Sequence, residues 1–206
     1  FFHPQLPDEP LIFVEVALTA NLPSAIDQII GADRPLVDPQ SAKCAIFYSI
    51  SNCQDGLRGI PFGNYLIKRV VDLLRGELTH LTTFATLSPV PGFATWLARA
   101  SDGELPPVED SAYVVRAADY LVNARSPKGE VANSVARFHL GNGARLEAVH
   151  ADADRSPNGI RQSHGIMVNY VYDLGAIEAN LLALSEMDVV AASPKVLKLA
   201  QSAVQD

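Results

Sequence analysis

The sequence predicts a mixed α/β domain on three observations. Short apolar, β-branched runs alternate with segments of helical periodicity along the chain. The most regular helical segment follows a strand and a cluster of glycines, the order of a strand–loop–helix unit. Apolar residues make up 48% of the 206 and charged residues 19%, which suits one sizeable domain or one domain with a small appendage.

Residues 11–18 (LIFVEVAL) read as a strand, and 21–30 as a short helix with Asn21 as N-cap. Residues 35–40 are a loop, and 44–51 (CAIFYSIS) a second strand. Gly56, Gly59, Pro61 and Gly63 then cluster. Behind them Leu66, Ile67, Val70, Val71, Leu73, Leu74 and Leu78 recur at helical spacing. Residues 81–87 (LTTFATL) are a third strand running into Ser88-Pro89-Val90-Pro91-Gly92, where the prolines are expected to stop both pairing and helix. Helices follow over 93–100, 111–122 and 130–138, with a polar loop over 101–110 and a Gly141-Asn142-Gly143 turn. Strands are expected over 145–150 and 166–172, with a Pro157-Asn158-Gly159 turn between them. Helices over 176–185 and 194–204 close the chain.

Composition excludes several classes. No apolar run approaches the roughly 18 residues of a membrane span, since Glu15 interrupts the best candidate. The net charge of −7 argues against a nucleic-acid partner. Between Lys43 and Arg75, however, Lys43, Arg58, Lys68, Arg69 and Arg75 outnumber Asp55 and Asp72. A local basic patch on an acidic protein suits a small anionic ligand. Cys44 and Cys53 give neither a disulfide framework nor metal-ligand spacing, and read as reduced thiols of a cytoplasmic protein. The five histidines show no paired ligand spacing, so no metal is expected. The chain opens Phe1-Phe2-His3-Pro4 without a Met and reads as part of a longer protein.

Three places could carry chemistry. A glycine loop at a helix N-terminus offers free N–H groups and a partial positive charge to a phosphate. Arg58-Gly59-x-x-x-Gly63 has the look of the pyrophosphate loop of acyl-CoA N-acetyltransferases, although the same spacing suits a tight turn with no ligand. Ser88 ends a strand, where α/β ligands commonly bind, but a serine before proline is also an ordinary turn residue. His139 stands where a helix breaks into the Gly-Asn-Gly turn, either as a catalytic group or as a cap on the last carbonyls. Tyr170 and Tyr172 share a strand face, which by default is packing.

Several blocks together resemble one family. They are AIFYSIS at 45–51, GLRG at 56–59 with GNYLIKRVV at 63–71, LSPVPGF at 87–93 with Trp96-Leu97, VARFHLGNGA at 135–144 and GIMVNYVY at 165–172. In this order they resemble the malonyl-CoA decarboxylases, and FFHP with EVALT at 15–19 also fits. The resemblance implies that residues 1–206 are a catalytic domain of the acyl-CoA N-acetyltransferase-like fold, with a central twisted mixed sheet flanked by helices. It implies coenzyme A held by Arg58, Gly59, Ile60, Pro61, Phe62, Gly63 and Asn64, with catalytic Ser88 and His139 and Tyr172 nearby. It implies decarboxylation of malonyl-CoA to acetyl-CoA without a metal or a further cofactor. It also implies a homo-oligomer formed through a helical domain absent from this chain, in the cytoplasm, with no membrane or nucleic-acid partner.

On that reading His139 supplies a proton, since its ordinary pKa of about 6.5 lies near working pH. Ser88 holds the departing carboxylate or accepts a proton, and Tyr172 or Asn169 adds hydrogen bonds. This sequence departs from many members in a shorter stretch between Trp96 and His139, in the residues after Ala144, and in His164 where a small residue is common. The competing readings are an acyl-CoA N-acetyltransferase and a non-catalytic coenzyme A-binding module.

Overall fold

The computed structural model describes residues 1–34, 36–57, 63–100 and 110–203. In chain order these form strands β1 (Phe2–His3), β2 (Leu6–Pro10) and β3 (Ile12–Thr19), helix α1 (Asp27–Ile30), strand β4 (Cys44–Asn52), helix α2 (Gly63–Glu77), and strands β5 (Thr83–Thr86) and β6 (Ser88–Pro89). Helices α3 (Phe93–Ala100), α4 (Asp110–Val122) and α5 (Ser134–Leu140) follow, then strand β7 (Arg145–His150), helix α6 (Pro157–Ser163), strand β8 (Met167–Val171), and helices α7 (Ile177–Met187) and α8 (Pro194–Ser202). The chain divides into two compact units, Phe1–Leu22 with Leu36–Thr86, and Pro23–Pro35 with Leu87–Asp206.

In the first unit β4 runs antiparallel to β3 on one side and parallel to β5 on the other. A strand in the middle of a sheet is covered on both faces, and Cys44, Ala45, Ile46 and Phe47 are accordingly all buried in succession. Two parallel neighbours cannot be joined by a tight turn, so the chain needs a crossover. Helix α2 supplies it, burying Leu66, Ile67, Val70 and Val71 on one face while Lys68 and Arg69 stay exposed. Leu73, expected on the apolar face, is 45% exposed. The 3-10 turn Asp55–Leu57 leads towards α2, which begins at Gly63. The strand–turn–helix order that the glycine cluster implied is therefore present, while Arg58, Gly59, Ile60, Pro61 and Phe62 lie outside the described residues. The β1–β2 ladder was not foreseen. Its short strands are exposed throughout and carry no alternating apolar pattern.

In the second unit β8 is antiparallel to β7 on one edge and to β6 on the other. Met167 through Tyr170 are all buried, as befits a middle strand. Helix α8 packs on α4 and β7, α3 on α4 and α6, and α5 on α7 and β7. Phe93, Leu97, Leu121, Leu140, Leu146, Ile166 and Val168 fill the interior.

Four sequence expectations are corrected here. The helix over 21–30 is only one turn long, because the backbone before it bonds elsewhere: Ile26 N–H donates to Ala153 O, and Pro23 O accepts from Asn169 Nδ2. The helix expected from 130 starts at Ser134, where Asn133 caps it, while Val131 forms a bridge with Arg125. Pro157-Asn158-Gly159 opens a helix rather than a turn. Ser156 is its N-cap, accepting from Gly159 N–H, and proline suits the first helical position because its missing N–H is not needed there. Ser88 and Pro89 pair with Val168 and Met167, so Pro89 does not stop pairing. It lies in a two-residue strand that bonds on one side only, where a missing donor costs nothing.

Gly143 shows how tightly the turn after α5 is built. Its φ is +79°, and an added Cβ would sit 2.7 Å from Ile177 Cγ2 and 2.8 Å from the Ile177 carbonyl oxygen. Gly143→Ala is expected to destabilise the protein by roughly 2–4 kcal/mol, combining left-handed strain with overpacking. Urea unfolding measures it, and a loss below about 0.5 kcal/mol would mean that the turn can relax.

Candidate active site

Ser88, His139 and Tyr172 converge within the second unit. Ser88 Oγ lies 3.3 Å from His139 Nε2, and His139 Nδ1 lies 2.7 Å from the Tyr172 hydroxyl. All three are buried, with residue exposures of 5%, 5% and 4%. Middle strand β8 places two of them. Ser88 pairs with Val168 and so shares a sheet face with Val168 and Tyr170. The His139 ring stacks on Tyr170, with centroids 4.7 Å apart and planes 24° apart. Tyr172 follows directly after β8.

The alternative reading of His139 as a cap is excluded by its partners. The α5 carbonyls that lack helical partners take backbone donors: Gly141 N–H bonds Arg137 O, and Asn142 and Ala144 N–H both bond His139 O. The imidazole is left to Ser88 and Tyr172. Tyr170, which the sequence reading treated as packing, is the surface on which that ring rests. Phe138 meets it edge-on at 5.0 Å. Asn169, expected near the site, lies on the other sheet face. Its Oδ1 is 2.6 Å from His150 Nε2 and its Nδ2 donates to Pro23 O, so it does not belong to the Ser88–His139 cluster.

Electrostatically this is a site of neutral groups. Burial drives the His139 pKa down from 6.5 to about 3, because a charged imidazolium is poorly solvated there. The expectation of a histidine poised near neutral pH is thereby corrected: His139 is uncharged in the free protein. Burial pushes the Tyr172 hydroxyl well above the usual tyrosine range, with Tyr170 adding to the shift. Tyr172 is therefore protonated in the free protein and is fit to donate a hydrogen bond to Nδ1. An imidazole accepting at Nδ1 carries its own hydrogen on Nε2, facing Ser88 Oγ. Among the described residues no three His, Cys, Asp or Glu side chains converge as metal ligands. No described helix is long and apolar enough to cross a membrane.

The chain matches the family described as "Malonyl-CoA decarboxylase C-terminal domain" over residues 1–112 and 107–206. It belongs to the malonyl-CoA decarboxylase family. A mitochondrial malonyl-CoA decarboxylase from the goose Anser anser anser is 33% identical over 242 residues, covering 96% of this chain and 48% of the relative. The crystal structure of malonyl-CoA decarboxylase from Rhodopseudomonas palustris superposes with a TM-score of 0.87 at 48% identity, covering 97% of this chain and 52% of that one. The chain thus spans about half the length of these family members. A more distant neighbour, the GNAT-like decarboxylase GphF in complex with isobutyryl-CoA, has a TM-score of 0.55 at 17% identity, covers 84% of this chain and 76% of that one, and shows the fold alone. The mixed α/β, acetyltransferase-like fold expected from the sequence is the observed one. The two matched segments overlap at residues 107–112, between Trp96 and His139.

Proposed function

We propose that this chain carries the decarboxylation centre of its family, converting malonyl-CoA to acetyl-CoA and carbon dioxide at Ser88 and His139. The observation that supports it most is the buried Ser88–His139–Tyr172 chain of neutral groups in a protein of that family. Cleavage of the carbon–carbon bond sends its electron pair into the thioester, giving an enolate and carbon dioxide. The thioester is the electron sink, so no redox cofactor is needed. The enolate carbon then needs one proton. Ser88 Oγ–H delivers it and is refilled from His139 Nε2–H, while Nδ1 takes the hydrogen of Tyr172. The site carries one negative charge throughout: first the substrate carboxylate, then the enolate, then the relay, which is discharged by a proton from solvent. Burial favours this order. A carboxylate is poorly solvated in an apolar site, and leaves it as neutral carbon dioxide.

The phosphates of coenzyme A are assigned to Arg58, Gly59, Ile60, Pro61 and Phe62 together with Gly63 and Asn64, the first two residues of α2. The N-terminus of a crossover helix after a strand is the usual place for a phosphate, and Lys68 and Arg69 are exposed on the second turn of α2. On this reading the chain is the catalytic unit of a longer cytoplasmic protein whose oligomer contacts lie in a helical domain. Incubation with malonyl-CoA alone tests the activity. Acetyl-CoA and carbon dioxide should form without an amine acceptor, and an absolute requirement for an acceptor would show an acetyltransferase instead. Arg58→Ala should raise KM about tenfold or more with turnover changed much less, as expected for loss of one charge-assisted phosphate contact. An unchanged KM would remove Arg58 from the ligand.

A further inference from the structure

Ser88 and His139 stand 51 residues apart in sequence, and their contact of 3.3 Å is at the long end for a hydrogen bond. A small shift of either segment would break it. Ser88 leads into Pro89-Val90-Pro91, and His139 lies in the last turn of the helix that begins at Ser134. One side chain ties these two segments together. Asn133, 1% exposed, accepts the Ala136 N–H on Oδ1 at 2.8 Å and donates from Nδ2 to the Pro91 carbonyl at 2.8 Å. It also shares a side-chain hydrogen bond with Tyr120. Ala136 N–H can only donate and Pro91 O can only accept, so the amide has one possible orientation.

We propose that Asn133 is a positioning residue for the proposed decarboxylation, fixing α5, and with it His139, against the segment that carries Ser88. The links form a closed ring: Ser88 through the prolines to Pro91 O, across to Asn133, along α5 to His139, and back to Ser88. Tyr120 steadies the joint from the other side, its ring lying 5.8 Å from Phe93 and 5.0 Å from Trp96 of α3. The role goes beyond that of a helix cap. Serine, threonine or aspartate would cap α5 equally well, but none of them in its ordinary ionisation state has a donor that also reaches Pro91 O. The inference rests on the decarboxylase reading for its kinetic consequence and on geometry alone for its structural one.

The test uses Asn133→Ser and, should that variant fold poorly, the isosteric Asn133→Asp, both in the intact protein. Both keep an acceptor for Ala136 N–H and lose the amide donor to Pro91. Turnover of malonyl-CoA should fall about ten- to hundredfold with KM within about threefold, the signature of misplaced reacting groups. The 15N resonances of the His139 ring should shift, reporting a changed contact with Ser88 without any substrate. Wild-type turnover together with unmoved His139 resonances would overturn the proposal. So would a fall in melting temperature with turnover per folded molecule unchanged, which marks a cap and nothing more. If the wild-type protein leaves malonyl-CoA intact, the decarboxylase reading fails, and the resonances still decide whether Asn133 places His139.

Discussion

His139→Ala is expected to lower turnover of malonyl-CoA by about 10²–10⁴-fold, the usual worth of a positioned proton donor. Ser88→Ala should fall in the same range, because on the proposed relay the proton of Nε2 reaches substrate only through Ser88 Oγ, 3.3 Å away. Groups that act as one unit do not lose activity additively. The Ser88→Ala/His139→Ala double variant should therefore be little worse than either single one. Tyr172→Phe keeps the ring and removes only the hydroxyl that lies 2.7 Å from Nδ1. It should be milder, about tenfold, since an imidazole without that partner still populates the productive tautomer part of the time. Steady-state kinetics at saturating malonyl-CoA measure all four. Turnover of either alanine variant within a few-fold of wild type would take that residue out of the reaction. A double variant as low as the product of the two single effects would argue against a shared relay.

The second large effect is on acid stability. His139 holds its proton with a pKa of about 3 in the native state, against about 6.5 in an unfolded chain. Between these values the unfolded state binds more protons, so falling pH favours unfolding. The stability owed to neutral His139 is complete above about pH 6.5 and is lost progressively towards pH 3, at up to about 1.4 kcal/mol per pH unit. From pH 7 to pH 5 this amounts to about 2 kcal/mol. His150 and His164 are also lowered by burial and act with the same sign. Urea unfolding of wild type and His139→Gln at several pH values isolates the contribution of His139. The slope between pH 4.5 and 6.5 should be clearly shallower in the glutamine variant, and equal slopes would mean that His139 is protonated in the native protein.

The sequence was legible wherever one local rule decided the outcome. The run Cys44 to Ser51 read as a strand, and the 3.6-residue spacing of Leu66, Ile67, Val70 and Val71 as a helix, and both are found. Its failures arose where distant partners outweighed local preference. Residues 21–26 have helical propensity, yet their backbone groups serve Ala153 and Asn169, which no local window contains. Asn169 and Tyr170 differ by one position, and therefore face opposite sides of β8, one towards His150 and the other under His139. The family motifs pointed to Ser88 and His139, but the ordinary pKa of about 6.5 expected for the imidazole was not the outcome. Spacing cannot show burial, and burial is what makes His139 neutral. Asn133 had a readable sign: an asparagine before Ser134-Val135-Ala136 is a helix N-cap, and the start placed at Glu130 hid it.

The distances along the chain between partners bear on how the protein is made. Ser88 must wait for a residue 51 positions later, and His139 for one 33 positions further on. Contacts of such long sequence separation form after local helices and turns, because the intervening loops must first be closed. Catalytic competence should therefore be the last property a refolding chain acquires and the first it loses under denaturant. Activity would vanish at urea concentrations where the helical signal is still intact, which makes turnover a sensitive gauge of whether β8 has taken its place between β6 and β7.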